Sequence, residues 1–592
     1  MTEPYADTPS VSRTMAAIIL MAVLALLTYA NTFTTPFVFD DLPHIVENAR
    51  IRFTPSIPGS ASRLMEVLTS TRSLAFLTFA LNYYFHGYDV RGFHAVNLII
   101  HLITALLVFL VARRTLRLCN AGNDPAALLA AALWLVNPVH TQSVTYIVQR
   151  MNAMAAMFYM LALYLYIRTR MKTGGSHGRV RDALGYVLCL AATALALASK
   201  ENAVTLPVVL LLYEWYFFQN LDRTWLKKQL PWMGIAAAAA AALVLFLMRE
   251  TSLAGILNDL YDQQGFTMGQ RLLSEAGVVV YYISLLIFPH PGRLVINYDF
   301  PLSRTPIDPL STAPALAAML MLTLAAVYGA RRHRLISFAV LWFLITLSVE
   351  SSVIGLALIY EHRTYLPSVF PLIAMTALLF HRLPAQKRSF IISGVLIVIC
   401  AFWTHQRNAV WNDAARFWQD SLAKTPNDSN THNHLGIALS RAGQYEAAIS
   451  HFRIALRAIV NPDVASVHNN LCAALVGAGR YAEAIDHCRA ALRLNPDYVN
   501  AHFNLGFALY KTGCRLEAIR HYRTGLLSAP DPKDPNLVSV YNNLGAALAA
   551  QGEIDEAVVF FHKAVELDPD NIDACYNLGV ILKTENRLTE GP

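Results

Sequence analysis

Two aspartates stand side by side in the segment FVFDDLPHIVEN, at Asp40 and Asp41. Adjacent carboxylates near a membrane surface repel each other and lose hydration. Such a pair is costly unless it binds a cation, shares a proton or works as a base. A helix N-cap or a solvated turn is the plainer use of the same residues. Other polar residues recur in short blocks between apolar runs. Arg72 and Asn82 lie in TRSLAFLTFALNYYFHG, and His94, Asn97 and His101 in GFHAVNLIIH. His140, Gln142, Gln149 and Arg150 lie in NPVHTQSVTYIVQRMN, Lys200, Glu201 and Asn202 in SKEN, and Glu361, His362 and Arg363 in YEHRTYLPS. Ionisable residues at membrane depth are functional candidates by default. Together these blocks describe a pocket of acids and of cations able to hold a lipid phosphate. Snorkelling at helix ends is the bland alternative for Arg150 and Lys200.

The elements that position these residues follow from hydropathy. The chain has 592 residues, 55% hydrophobic and 15% charged, with mean hydropathy +0.39. A soluble chain carries about 25% charged residues. The apolar runs fall in residues 1–404, while residues 405–592 have an ordinary soluble composition. Eleven runs between 15 and 404 reach spanning length. Basic residues cluster in alternate connections: Arg113, Arg114 and Arg117; Arg168 to Arg181; Arg223 to Lys228; Arg331 to Arg334; and Arg382 to Arg388. The positive-inside rule puts these loops and the N-terminus in the cytoplasm. The first outer loop is then 31–93, and the acids and cations of the polar blocks face the same outer side. Residues 272–289 are also apolar enough to span, but a crossing there would move Arg331–Arg334 outside. A re-entrant or interfacial helix keeps the count at eleven. The net charge of +7 sits in short loops, which argues against nucleic acid. Seven cysteines without paired spacing predict neither a metal site nor a disulfide framework.

Residues 430–592 repeat with a period near 34, anchored at Leu435-Gly436, Leu471-Cys472, Leu505-Gly506, Leu544-Gly545 and Leu578-Gly579. Second-helix signatures follow, such as Ala448/Phe452/Ala455 and Ala518/Tyr522/Gly525, and Pro496, Pro530 and Pro569 close repeats. This is the tetratricopeptide pattern, in which small residues let paired helices approach and aromatics fill the gap. Residues 412–426 read as a lone second helix within a connecting segment, 405–429. Solenoids of this kind present a concave groove to peptides. Asn470, Asn504, Asn543 and Asn577 recur two residues before the small anchor, and a ladder of amides suits an extended peptide backbone. Asn as a merely common residue at this repeat position is the alternative. The expected fold is all-α: a polytopic membrane helix bundle, 1–404, then an α-solenoid.

The motifs FVFDD, TRSLAFLTFALNYYFHG with GFHAVNLIIH, NPVHTQSVTYIVQRMN, SKENAVTLP and EHRTYLPS, with the trailing repeats, resemble the transmembrane-and-TPR proteins (TMTC family) and their bacterial relatives. These sit within the GT-C glycosyltransferases, which include protein O-mannosyltransferases. The resemblance implies an enzyme using a polyprenyl-phosphate-linked sugar on the non-cytoplasmic face. Asp40 and Asp41 are then the catalytic pair, one as general base, the other orienting the acceptor or binding a divalent cation such as Mg or Mn. By their position, Arg150, Lys200 and Arg363 would stabilise the departing lipid phosphate. Arg72, His94, His140, Glu201, Glu361 and His362 would support the pocket.

The leading expectation is transfer of a monosaccharide to Ser or Thr of an exported protein held by the repeats. The expected site is a bacterial inner membrane, with membrane lipids around the bundle and the repeats in the periplasm. A membrane-anchored scaffold whose repeats bind envelope proteins is the alternative from another class. A third reading keeps the enzyme but gives it a lipid or polysaccharide acceptor. A transporter is disfavoured, because no internal membrane repeat is visible.

Overall fold

The computed structural model describes residues 11–52, 60–121, 124–172, 179–247, 261, 265–382, 386–457, 464–529, 534 and 537–589. It forms two compact units, Met1–Asp420 and Ser421–Pro592. Among the described residues every regular element is a helix.

The first unit contains α1 (Val11–Tyr29), α2 (Ser60–Thr69), α3 (Ser73–His86), α4 (Val90–Leu118), α5 (Asp124–Leu135), α6 (Arg150–Lys172) and α7 (Arg179–Ser199). It continues with α8 (Leu206–Tyr213), α9 (Arg223–Leu247), α10 (Met268–Ile287), α11 (Thr312–Gly329), α12 (Arg334–Leu347), α13 (Val369–Arg382) and α14 (Gln386–Trp411). Seven described helices are long and apolar enough to cross a membrane, and three shorter ones lie at Asp124–Leu135, Arg334–Leu347 and Val369–His381. The unit is an integral membrane bundle. Its helices expose apolar side chains such as Leu190, Leu320 and Val398 outward, as a lipid-facing surface requires. Helix α5 ends at Leu135, and Pro138 then opens a string of short helical turns that leads to α6. The last apolar helix runs past residue 404 to Trp411, and the unit boundary falls at Asp420.

Helix α10 spans 20 residues, enough for a crossing, yet it does not carry the chain to the other face. The chain after it doubles back along it. Tyr281 donates to the Arg293 carbonyl (3.0 Å), Phe300 packs on Gly277, and the Ser303 N–H donates to Ser274 Oγ (2.8 Å). Ser303 then meets Thr312, the first residue of α11, at 2.7 Å. Helices α10 and α11 therefore begin at the same level. Arg271 in the first turn of α10 pins that level to the loop after α12. It donates to the carbonyls of Glu350 (2.7 Å), Ser352 (2.9 Å) and Leu356, and pairs with Glu275 (2.9 Å).

The second unit is the solenoid. Its helix pairs are Ser429–Arg441 with Tyr445–Arg457, Val464–Gly477 with Tyr481–Leu494, Val499–Lys511 with Arg515–Ser528, and Val538–Gln551 with Ile554–Leu567, followed by Ile572–Thr589. Ala448, Ala484, Ala518 and Ala557 are fully buried between them. Pro530, expected to close a repeat, lies outside the described residues.

In three repeats a glycine of the first helix receives an aromatic ring sixteen residues later. These pairs are Gly436–Phe452, Gly506–Tyr522 and Gly545–Phe561, where a Cβ would come within 2.6–3.0 Å of the ring. The second repeat fills the same two positions with Cys472 and Cys488, which form a disulfide (Cα–Cα 5.4 Å). Both are fully buried, as expected of core positions. The expectation of no disulfide is corrected here. A separation of sixteen carries no pairing signature by itself, but the helical hairpin brings those positions face to face.

Candidate active site

The first loop leaves α1 and turns sharply at Phe39, whose φ is +50°. That turn sends the two neighbouring carboxylates to different environments. Asp41 is 1% exposed. Its Oδ2 accepts the Val38 N–H (3.0 Å) and its Oδ1 the Val148 N–H (2.7 Å). Asp41 thus ties the first loop to the turn before α6. Burial pushes its pKa up to about 8, against the lowering pull of those two N–H groups and Arg150. Asp40 is half-buried and lines a cavity of about 240 Å³. Its backbone N–H donates to the Tyr146 hydroxyl at 2.8 Å. Burial raises its carboxyl above the usual range, and the Tyr146 hydroxyl and His44 hold it back.

The same cavity is lined by Arg72, Lys200, Glu350, Tyr360, His362 and Arg363. Arg72 comes from the block before α3, Lys200 from SKEN, Tyr360, His362 and Arg363 from YEHRTYLPS, and Glu350 from the loop after α12. Arg72 sits between α2 and α3 in a left-handed conformation (φ +62°), which costs a non-glycine residue energy and persists only where neighbours enforce it. Its Nε bonds both oxygens of Glu201 at 3.0 and 3.1 Å. That pairing, outweighing burial, holds the Glu201 carboxyl below its usual value.

Lys200 follows the last turn of α7 and donates to Asn152 (3.2 Å) and Glu350 (2.5 Å). Burial pushes the Glu350 carboxyl up, but the Lys200 and Arg363 charges outweigh it and keep it ionised. Arg363 donates to the carbonyls of Ala357 (2.6 Å) and Leu358 (2.9 Å). His362 faces Gln142, whose Oε1 lies 3.2 Å from His362 Nδ1 and accepts its backbone N–H at 3.3 Å. Burial, with Lys200, Arg363 and Arg72 nearby, holds that imidazole neutral.

Besides Asp41 and Glu201, four residues expected at the pocket lie outside its lining. Arg150, expected at a phosphate, is fully buried outside the cavity lining. It donates to Asn97 (2.7 Å), Asn82 (2.6 Å), Thr78 and the Phe93 carbonyl (2.9 Å), and lies 4.6 Å over the Phe79 ring. All three guanidinium nitrogens are spent on bracing α3 and α4 against α6. His94 meets the Thr35 carbonyl at 2.9 Å. His140 is held between the Trp134 carbonyl (2.8 Å) and Ser368 (3.0 Å). Glu361 is fully buried and accepts the Tyr298 hydroxyl at 2.8 Å. These groups support the walls from behind.

Glu350, Tyr146 and Asn152 escaped the sequence reading. Glu350 was the most legible of them, as an acid at the end of an apolar run.

Asp40 offers one carboxylate to the cavity, while both Asp41 oxygens face N–H donors. Among the described residues no group of three or more His, Cys, Asp or Glu gathers. This donor set fits a resident divalent cation poorly, since Mg²⁺ and Mn²⁺ seek several oxygen ligands.

In the solenoid, the expected amide ladder is knitted between repeats. Asn470 donates to Asn433 (3.1 Å), Asn504 to Asn469 (3.0 Å) and Asn577 to Asn542 (2.9 Å). Among the described residues each of these three amides makes that one side-chain hydrogen bond, and Asn543 is half-buried.

Fold and site together define a polytopic membrane protein with a charge-lined cavity in its bundle and a tetratricopeptide solenoid after it. Residues 74–248 match the family described as dolichyl-phosphate-mannose-protein mannosyltransferase. Residues 417–450, 473–513 and 538–571 match tetratricopeptide repeat families. The chain is similar to protein O-mannosyl-transferase Tmtc3 of Drosophila melanogaster, with 26% identity over 76% of this chain and 56% of that one. It is likewise similar to protein O-mannosyl-transferase TMTC4 of Mus musculus, with 24% identity over 75% of this chain and 67% of that one. The chain therefore spans about half to two thirds of the length of these relatives. Among solved structures it is similar to YrrB, a TPR protein with an unusual peptide-binding site. That match has 22% identity and a TM-score of 0.24, over 27% of this chain and 80% of that one.

Proposed function

We propose that this protein is a membrane glycosyltransferase that moves a mannosyl group from a polyprenyl-phosphate donor to a serine or threonine hydroxyl of a protein held by the repeats. The observation that carries this reading is the cavity itself, where Asp40 stands with Arg72, Lys200 and Arg363. The similarity to protein O-mannosyl-transferases supports the sugar and the acceptor class.

Asp40 is the general base. Its carboxylate takes the proton of the acceptor hydroxyl as that oxygen bonds to the anomeric carbon. The bond from the anomeric carbon to the phosphate oxygen breaks, and its electron pair leaves with the polyprenyl phosphate. Negative charge grows on that phosphate, where Arg72, Lys200 and Arg363 stabilise it. Arg72 is suited to this because its Nη2 makes no protein hydrogen bond among the described residues, whereas Nε and Nη1 are occupied. Tyr146, kept a hydroxyl by burial and the two nearby carboxyls, orients Asp40. Asp41 holds the loop. No step passes through a metal ion.

The membrane is a bacterial inner membrane, with the cavity and the repeats on the periplasmic side. Two observations support this. The basic loops alternate with the polar blocks along the chain, and the repeats contain a buried disulfide, at home in an oxidising compartment.

The test is transfer in vitro, with reconstituted protein, a polyprenyl-phosphate mannose and a Ser/Thr peptide library read by mass. A hexose adduct formed by wild type and absent with Asp40→Asn at equal protein supports the reading. Equal adducts from both, or none from either alongside intact peptide capture by the repeats, reject it.

A further inference from the structure

A second cavity of about 510 Å³ lies at the far end of the bundle from Asp40, where the last residues of α4 meet the α11–α12 turn and the end of α13. Arg331, Arg332, His333, Arg334 and His381 line it. Arg331 and Arg332 are exposed, and none of the three arginines makes an ion pair among the described residues. Stretches 118–123, 329–334 and 377–388 contain no Asp or Glu, and the last adds Arg382, Lys387 and Arg388. The nearest acid in sequence, Asp124, is already held by Arg113 (3.0 Å) and Arg117 (2.9 Å). Among the described residues the cavity is therefore a site of uncompensated positive charge.

Its walls continue into an apolar groove of about 370 Å³. Ile336, Ala374 and Leu378 line both spaces. From them the groove runs between α10, α11, α12 and α13, past Leu322, Phe343 and Met375. A basic mouth at a helix-end level, opening into an apolar groove, matches one kind of molecule: an amphiphile with an anionic head and a hydrocarbon chain. Basic pockets between helices at the cytoplasmic end are suited to acidic lipid head groups.

We propose that this cavity and groove hold an anionic glycerophospholipid of the bilayer, its phosphate against Arg331, Arg332 and Arg334 and an acyl chain along Ile336, Ala374 and Leu378. The lipid would brace helix α10 against α12 and α13 from the face opposite the charge-lined active-site cavity.

The test uses full-length protein, delipidated in detergent and titrated with phosphatidylglycerol or phosphatidylcholine of equal chain length, with bound lipid read by native mass spectrometry. Phosphatidylglycerol should bind in preference. Each cation near the head group contributes roughly fivefold, so Arg331→Gln/Arg332→Gln/Arg334→Gln should weaken it about a hundredfold and leave phosphatidylcholine unchanged. Ala374→Phe, which fills the groove and leaves the charges, should weaken it as well and guards against misfolding of the triple variant. Equal binding of the two lipids, or unchanged phosphatidylglycerol binding in both variants, overturns the proposal. So does displacement by millimolar inorganic phosphate, which marks a free-anion site, or by polyprenyl phosphate at equal concentration, which marks the groove as the donor's.

Discussion

Asp41 Oδ1 accepts the backbone N–H of Val148 at 2.7 Å. Two segments more than a hundred residues apart are joined by that bond, and it decides which member of the acidic pair faces the cavity. With Asp41 fastened inward, Asp40 is the one that lines the cavity.

The two aspartates should therefore fail differently. Asp40→Asn keeps the melting temperature and lowers transfer by about 10²–10⁴-fold, the range for loss of a general base. Asp41→Asn turns an amide donor toward one of two backbone N–H groups, costing about 1–3 kcal/mol of stability. Thermal unfolding in detergent beside a turnover assay separates the two. Identical behaviour of both variants would refute the division of roles.

The cavity also sets a pH dependence. The Asp40 carboxyl lies above its ordinary value of about 3.9, so the base is lost as pH falls through that raised value. The acid limb of the rate profile should lie above pH 4 and vanish from the residual activity of Asp40→Asn.

Asp41 acts on stability instead. Its folded pKa of about 8 exceeds the unfolded value of about 3.9, so the folded state holds the proton more tightly. That stabilisation is complete below about pH 4 and is lost as pH rises through 8. Melting between pH 5 and 9 should fall more steeply for wild type than for Asp41→Asn.

Lys200 and Glu350 are 11% and 6% exposed. Breaking a buried pair from one side costs about 3–5 kcal/mol, because it leaves a charge without a partner. Lys200→Met should fold poorly. Lys200→Met/Glu350→Gln should regain most of the stability and none of the transfer activity. A double variant that transfers normally would remove Lys200 from the phosphate site.

Arg150 offers a contrasting case among the cations. Lysine cannot reproduce its planar fork, so Arg150→Lys leaves acceptors among Asn82, Asn97 and the Phe93 carbonyl unmet, at about 1–3 kcal/mol for each. The melting temperature should drop while KM for the lipid donor stays unchanged in the protein that folds. A selective rise in KM would return Arg150 to the donor site.

In the solenoid, Cys472→Gly/Cys488→Phe installs the glycine–aromatic pair used by three other repeats. A crosslink closing a loop of about 15 residues stabilises by about 3 kcal/mol, so reductant should lower the melting temperature of wild type. The double variant should be indifferent to reductant and should keep its repeat structure by circular dichroism.

The sequence by itself determined the helical membrane bundle, the tetratricopeptide period and the polar blocks between apolar runs. Those features are one-dimensional: apolar run length, charge alternation and a period near 34 are properties of neighbours along the chain. Tertiary structure alone decided that Asp41 is anchored between two backbone N–H groups while Asp40 lines the cavity, that Arg150 braces helices, that Glu350 completes the cavity, and that Cys472 meets Cys488. Each depends on whether a polar atom finds its partner across space, and a sequence records the donors and acceptors without saying which of them have already been satisfied.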